Sequence, residues 1–362
     1  IIHAPKSIDL MAEIGIILLL FSIGLEFSLN HLLRIRNIVF WGGFLQLIAT
    51  TMLTMFIARM YDMTWTSALF VGLITALSST AVVLKLLQER SEITSNYGRT
   101  VLGILIFQDI VLVPLLLFVP LFAGEVEALP GKIAWLSFKT VIIIGLVYIG
   151  NKWLMPRVLH ALAMTKNQEL FFMSILLICF SVALLTSELG MSLAFGAFLA
   201  GLMISDSDYS HNTFGNIVPF KDTFTSYFFV SIGTMLNLSF VAEHYLVILL
   251  TVALVIVLKT LIGMLCAFIL GHTLKGTILV GIAISQVGEF SFILAALGME
   301  YQVLTDYYFQ LFLATAIITM AISPFLIQAA NPIADRILKL PVPKVLVNGL
   351  FPLKQIEIPD LR

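Results

Sequence analysis

Eleven stretches of this chain are apolar and nearly free of charge: roughly residues 8–27, 37–59, 66–88, 98–122, 133–154, 168–187, 191–204, 218–238, 244–270, 275–298 and 305–329. A hydrocarbon layer about 30 Å thick takes about 20 residues of helix to cross. Inside it, backbone polar groups must bond within their own segment or within a closed barrel. Barrel strands alternate polar and apolar residues, and these stretches do not. The pattern therefore predicts an all-α polytopic membrane protein. A soluble domain is excluded: of 362 residues 60% are hydrophobic and only 11% charged, with a mean hydropathy of +1.05. The net charge of −1 offers no footprint for nucleic acid. Cys179 and Cys266 both lie inside apolar segments, so no disulfide framework is expected. The seventh segment is short, and the eighth carries Lys221 and Asp222 near its start, which makes these two the weakest spans.

Lysine and arginine orient the segments. If successive connections alternate sides, one side receives fifteen of the 20 basic residues, among them Arg34, Arg36, Arg90, Arg99, Lys152 and Arg157. The other side receives Lys6, Arg59, Lys132 and Lys139, and Lys259 lies within a segment. The asymmetry predicts a cytoplasmic C-terminus. The chain does not start with Met, and IIHAPKSIDL is not a signal peptide.

A repeat is visible in the residues. FSIGLEFSL at 21–29 resembles VSIGTMLNL at 230–238, and VGLITALSSTAVVL at 71–84 resembles VGIAISQVGEFSFIL at 280–294. Gly24 to Gly233 and Gly72 to Gly281 are separated by the same offset. The first segment pairs with the eighth, an odd number of crossings on, so the copies are expected to run in opposite directions, as in secondary transporters. The division that follows is a first half at 1–130, a linker helix at 131–165, a second half at 166–335 and a cytoplasmic tail at 336–362. Two segments precede the second copy and none the first. Symmetry thus predicts thirteen helices, eleven of them present here and two N-terminal ones missing.

The polar residues of the apolar segments carry the chemistry. Ser78, Ser79 and Thr80 interrupt segment 66–88, while Ser285, Gln286, Gly288 and Glu289 interrupt its partner 275–298. Hydroxyls in a helix can simply bond back to their own turn. Interruptions at matching places of two halves instead predict a pair of broken helices bordering a binding site. Asp109 sits beside Gln108 in the run VLGILIFQDIVLVPLLLFVPLF. A carboxylate is costly in such a segment and is expected to face a cation, a proton or a basic partner; a purely structural ion pair is the bland alternative. Lys259, more than ten residues from either end of its segment, is too deep to snorkel and is expected to meet a carboxylate, Asp109 being one candidate, or a helix break. Glu13, Glu26 and Glu188 read as interfacial, and the six histidines make no metal-ligand spacing. No Walker, nucleophile or dinucleotide motif is present, so an enzyme is not expected and no cofactor is implied.

The chain resembles the Kef-type potassium efflux systems of the monovalent cation:proton antiporter-2 family. The resemblance spans essentially the whole sequence, through AEIGIILLLFSIGLEF, ALSSTAVVLKLLQER, GILIFQDIVLVPL, LGMSLAFGAFLAGLMIS, FFVSIGTML and ISQVGEFSFILA. It implies an inverted-repeat antiporter fold with two crossing broken helices, 66–88 and 275–298. A core domain, with helices 66–122 and 244–329, would move against a dimerisation domain. It further implies that Asp109 binds K⁺ or Na⁺ in exchange for a proton, with Gln108 as its neighbour and Lys259 as the membrane lysine. A homodimer in a bacterial or archaeal cytoplasmic (inner) membrane is expected. So is a cytoplasmic regulatory domain or subunit that binds nucleotide, beyond the tail VPKVLVNGLFPLKQIEIPDLR. Glutathione-gated members carry an acidic loop where this chain reads HNTFGNIVPFKD, which argues against that gating. The expected function is K⁺ (or Na⁺) for H⁺ antiport by alternating access, one for one because Gln108 leaves a single carboxylate. The rival is a ligand-gated K⁺ efflux channel, disfavoured because no filter-like loop is visible.

Overall fold

A computed structural model describes residues 6–26, 38–122, 145, 148–188, 193–205, 207–340 and 349. Among the described residues all regular structure is helical. Helix α1 is Lys6–Glu26, and a π turn at Ile38–Gly42 leads into α2, Gly43–Arg59. Helix α3, Trp65–Ala76, opens where the Thr64 hydroxyl accepts the Ser67 amide, and it stops at Leu77, whose backbone is extended. Helix α4, Thr80–Glu89, restarts behind Ser79, whose hydroxyl accepts the Val82 amide. Helix α5, Asn96–Phe122, follows. Beyond a second π turn at Gly150–Leu154 come α6, Met155–Met164, α7, Gln168–Glu188, α8, Leu193–Ser205, and α9, Ser210–Met235. The short α10, Leu238–Glu243, precedes α11, Tyr245–Ile269. Helices α12, Leu274–Ala283, and α13, Phe290–Glu300, are separated by a six-residue gap, and α14 is Asp306–Ile337. By length and composition Phe40–Arg59, Asn96–Leu116, Gln168–Glu188, Tyr245–Ile269 and Asp306–Ile337 can each cross a membrane.

The chain forms two compact units, each drawn from two separate stretches. The first unit takes Ile1–Leu33 and Gly124–Leu236 and holds α1 and α6 to α9. Its core gathers Phe21, Met155, Ile175, Cys179, Ala197, Ala200 and Ile217. Helices α1 and α8 approach at glycines: a Cβ on Gly201 would stand 2.9 Å from the Gly24 Cα. Small residues at such crossings let backbones pack closely where lipid supplies no hydrophobic drive between helices.

The second unit takes Arg34–Ala123 and Asn237–Arg362 and holds α2 to α5 and α10 to α14. It contains the same succession twice: a long helix, a broken helix and another long helix (α2, α3/α4, α5; then α11, α12/α13, α14). One shared core joins Val83, Leu87, Val101, Ile104 and Leu105 to Ala267, Val280, Ala283, Ile284 and Ile327. Both halves of the sequence thus contribute to one packed body.

Some boundaries differ from hydropathy. Helix α9 starts at Ser210, through HNTFGNIVPFKD and with Pro219 inside it, rather than near 218. Helix α14 runs on to Ile337 through Pro324 and Pro332. Hydropathy marks where a segment meets lipid, whereas a helix continues as long as its backbone bonds close. Helix α6, with Pro156 in its first turn, falls within the expected linker 131–165 but beyond the apolar segment that ends at 154. Most of the expected linker segment 133–154, and the tail apart from 336–340 and 349, lie outside the described residues.

Candidate functional site

The two breaks meet inside the second unit. The Gly288 amide donates to the Leu77 carbonyl at 3.1 Å, and the Ser78 hydroxyl donates to the Ile284 carbonyl at 2.9 Å. A Cβ at Gly288 would lie 2.5 Å from the Ser78 carbonyl oxygen, so only glycine permits this approach. Of the expected hydroxyls, Ser285 does bond back to its own helix, at the Ile282 carbonyl. Ser78 and Ser79 do not: one reaches across to the other break and the other caps α4. The Val287 amide finds the Thr319 hydroxyl of α14 at 3.3 Å.

Lys259, on α11, is fully buried. Its ammonium nitrogen donates to the carbonyls of Thr75 and Leu77 at 2.8 and 2.7 Å. It also reaches Gln286 at 2.7 Å and, more distantly, Ala76 at 3.3 Å. Of the two partners expected for it, the helix breaks are the ones seen here, and it ties both together. The reason is geometric. A broken helix leaves its last carbonyls without amide partners, and the C-terminal end of a half-helix carries partial negative charge.

Asp109 lies on α5, buried at 8% exposure. The Thr80 hydroxyl is 3.1 and 3.0 Å from its two carboxylate oxygens and donates to the carboxylate. Thr80 is the first residue of α4, so the carboxylate stands at the positive end of that half-helix. The Gln108 side chain is turned to the first break. Its amide nitrogen donates to Gln46 at 2.7 Å and to the Ala76 carbonyl at 3.2 Å, while its oxygen accepts the Ser78 amide at 2.7 Å. It braces the first break.

In the second break, Gln286 is wholly buried and its side-chain amide has no hydrogen-bond partner among the described residues. Glu289 is 3% exposed and precedes α13 without capping it. Glu13 and Glu188 are exposed. His272, in the turn between α11 and α12, is buried and hydrogen-bonds the Thr100 hydroxyl of α5 at 2.7 Å. Burial pushes its imidazole below the ordinary value of 6.5.

The sequence reading named Asp109, Gln108, Lys259, Ser78, Ser79, Thr80, Gln286, Gly288 and Glu289. Eight of them join a connected network of contacts: Asp109 and Thr80 bond each other, Ser79 caps the helix that Thr80 begins, Gln108 braces the first break, Ser78 and Gly288 cross between the breaks, and Lys259 joins the first break to the Gln286 carbonyl. Gln46 and Thr319 were missed. Gln46 stands as an amide in the interior of the apolar segment 37–59, the same signal that marks Gln108. Thr319, one hydroxyl among many that bond back to their own helices, carried none.

Residues 1–330 match the family described as sodium/hydrogen exchanger, transmembrane. The chain is 31% identical over 326 residues to K(+) efflux antiporter 4 of Arabidopsis thaliana, covering 89% of this chain and 55% of that protein. It is 32% identical over 324 residues to the putative cation/proton antiporter YbaL of Escherichia coli K12, covering 87% and 58%. The chain therefore spans a little over half the length of these two relatives. In fold it is similar to the sodium proton antiporter MjNhaP1 from Methanocaldococcus jannaschii, with a TM-score of 0.59 over 92% of this chain and 86% of that one, at 19% identity.

Proposed function

This chain belongs to the sodium/hydrogen exchanger family, a family of membrane transporters rather than enzymes, and from that premise we propose that it is a secondary active antiporter exchanging K⁺, or alternatively Na⁺, for H⁺ by alternating access. The observation that carries the reading is Asp109, a buried carboxylate at the start of half-helix α4 with a hydroxyl on it. Such a group can hold either a proton or a bare monovalent cation. When the cation arrives the Thr80 oxygen can turn from donor to ligand, and when it leaves the hydroxyl again satisfies the carboxylate. The break carbonyls that would otherwise attract a cation are already taken by Lys259, which keeps the competition at Asp109.

Gln108 is neutral and committed to Gln46 and to backbone groups, so one carboxylate serves the site and exchange is one cation for one proton, electroneutral. K⁺ is preferred over Na⁺ in this reading because similar proteins include K(+) efflux antiporter 4 of Arabidopsis thaliana. The chain would work as a homodimer in a bacterial or archaeal inner membrane with its C-terminus cytoplasmic. A nucleotide-binding regulatory domain or subunit would lie on that side.

Reconstituted liposomes carrying a pH-sensitive dye test the proposal. Adding K⁺ outside should drive protons in the opposite sense, and Asp109→Asn should abolish the signal at equal protein content. Full exchange by Asp109→Asn would remove the carboxylate from the mechanism. K⁺ flux through the wild type without any proton movement would replace the carrier by a channel.

A further inference from the structure

Three side-chain donors converge on a single backbone oxygen. The Ala76 carbonyl lies 3.1 Å from the amide nitrogen of Gln46, 3.2 Å from that of Gln108 and 3.3 Å from the ammonium of Lys259. A carbonyl has two lone pairs, so it is shared, and for Gln108 and Lys259 it is the secondary acceptor. The shorter contacts lie elsewhere. Lys259 holds Thr75, Leu77 and Gln286 at 2.7 to 2.8 Å. Gln108 donates to Gln46 at 2.7 Å and accepts from the Ser78 amide at 2.7 Å. Gln46 is fully buried on α2 and uses its remaining amide proton on Thr50, one turn further along.

The backbone decides which way both amides point. Ser78 N–H can only donate and Ala76 C=O can only accept, so Gln108 must turn its oxygen to the first and its nitrogen to the second. Gln46 must then offer its oxygen to the Gln108 nitrogen. Remove that oxygen and Gln108 keeps only the shared Ala76 carbonyl for its two amide protons. Ser78 is two residues before Thr80, the residue on Asp109.

We propose that Gln46 is a positioning residue for the Asp109 site: its oxygen fixes the orientation of the Gln108 amide, and through the Ser78 N–H it fixes the break that presents Thr80 to the carboxylate. The inference rests on the cation/proton reading of Asp109 for its functional consequence, but its structural part stands separately.

The test uses the whole chain and two variants. Gln46→Met fills the same space without hydrogen bonds; Gln46→Glu, kept neutral by burial, retains the acceptor for Gln108 and one donor toward the Ala76 carbonyl. Hydrogen exchange in detergent should show faster exchange of the 77–80 segment in Gln46→Met and near-normal protection in Gln46→Glu. In liposomes, Gln46→Met should raise the K⁺ concentration for half-maximal exchange roughly three- to tenfold, the range of one net hydrogen bond, with a smaller change in maximal rate. Equal protection in Gln46→Met and the wild type, or equal loss in both variants, overturns the proposal. So does a fall in maximal rate with an unchanged half-saturating concentration, which is what a merely structural residue would give. A wild type without cation-coupled proton movement would sink the antiporter reading, while the exchange data would still judge Gln46.

Discussion

Lys259 is the residue whose chemistry depends most on its surroundings. A lysine with every atom away from solvent has to spend its donors within the chain, and it does so on carbonyls exposed by two helix breaks. Lys259→Met should leave the Ala76 oxygen with two glutamine donors and the Leu77 oxygen with the Gly288 amide, but take from Thr75 and Gln286 the donor seen here. Two buried carbonyls deprived in this way predict a destabilisation of roughly 2–4 kcal/mol. It would be read as a lower denaturation temperature in detergent, and an unchanged temperature would mean that water takes over both groups. Asp109 differs in kind. Its hydroxyl partner can be replaced by a cation's demand for oxygen, and for that reason its substitution is expected to change transport rather than folding. Both residues were legible in the sequence as polar groups in apolar runs. Which partner each had was not, because the Thr75 carbonyl is 184 positions from Lys259 and no local pattern encodes such a contact.

At the scale of elements, the two broken helices were readable because their interruptions recur at a fixed offset. The extent of each gap was not: the first spans three residues, the second six. Caps and cross-contacts set those lengths, namely Ser79 on α4 and the Gly288–Leu77 bond between breaks. The turn joining α11 to α12 carries a separate consequence. His272 there is buried against Thr100 of α5, and its imidazole is held below 6.5. The unfolded chain takes up this proton near its ordinary value while the folded one resists, so the folded state binds fewer protons as pH falls below 6.5. This group's contribution to stability is therefore complete above about pH 6.5 and declines as the medium is acidified. Melting curves taken from about pH 7.5 down to about pH 5 should show the wild type losing more stability than His272→Gln. Parallel curves would exclude His272 as a source of acid sensitivity. In the sequence His272 is one of six histidines without metal-ligand spacing, and nothing in its sequence neighbours announces Thr100.

For the molecule as a whole, one carboxylate with a neutral glutamine beside it predicts an exchange that moves no net charge. Imposing an inside-negative potential of about 100 mV on the liposomes would bias a net unit charge by about 2.3 kcal/mol, so an electrogenic carrier should speed up or slow down markedly. The expected result is an unchanged rate, and a voltage-dependent one would bring in a second titrating group, with Glu289 the first to examine. The sequence alone determined that this is a helical membrane chain, that its apolar segments recur with a repeat, and that Asp109, Lys259 and the two interruptions are the places where polarity is kept in spite of lipid. Those conclusions follow from composition and spacing, since a bilayer penalises every uncompensated polar group locally. Only the tertiary structure decided that residues 34–123 and 237–362 build one unit, that Lys259 ties both breaks together, and that Gln46 stands behind Gln108. Hydrogen bonds between distant segments depend on where folded backbones cross, and that is a property of three-dimensional packing rather than of residue order.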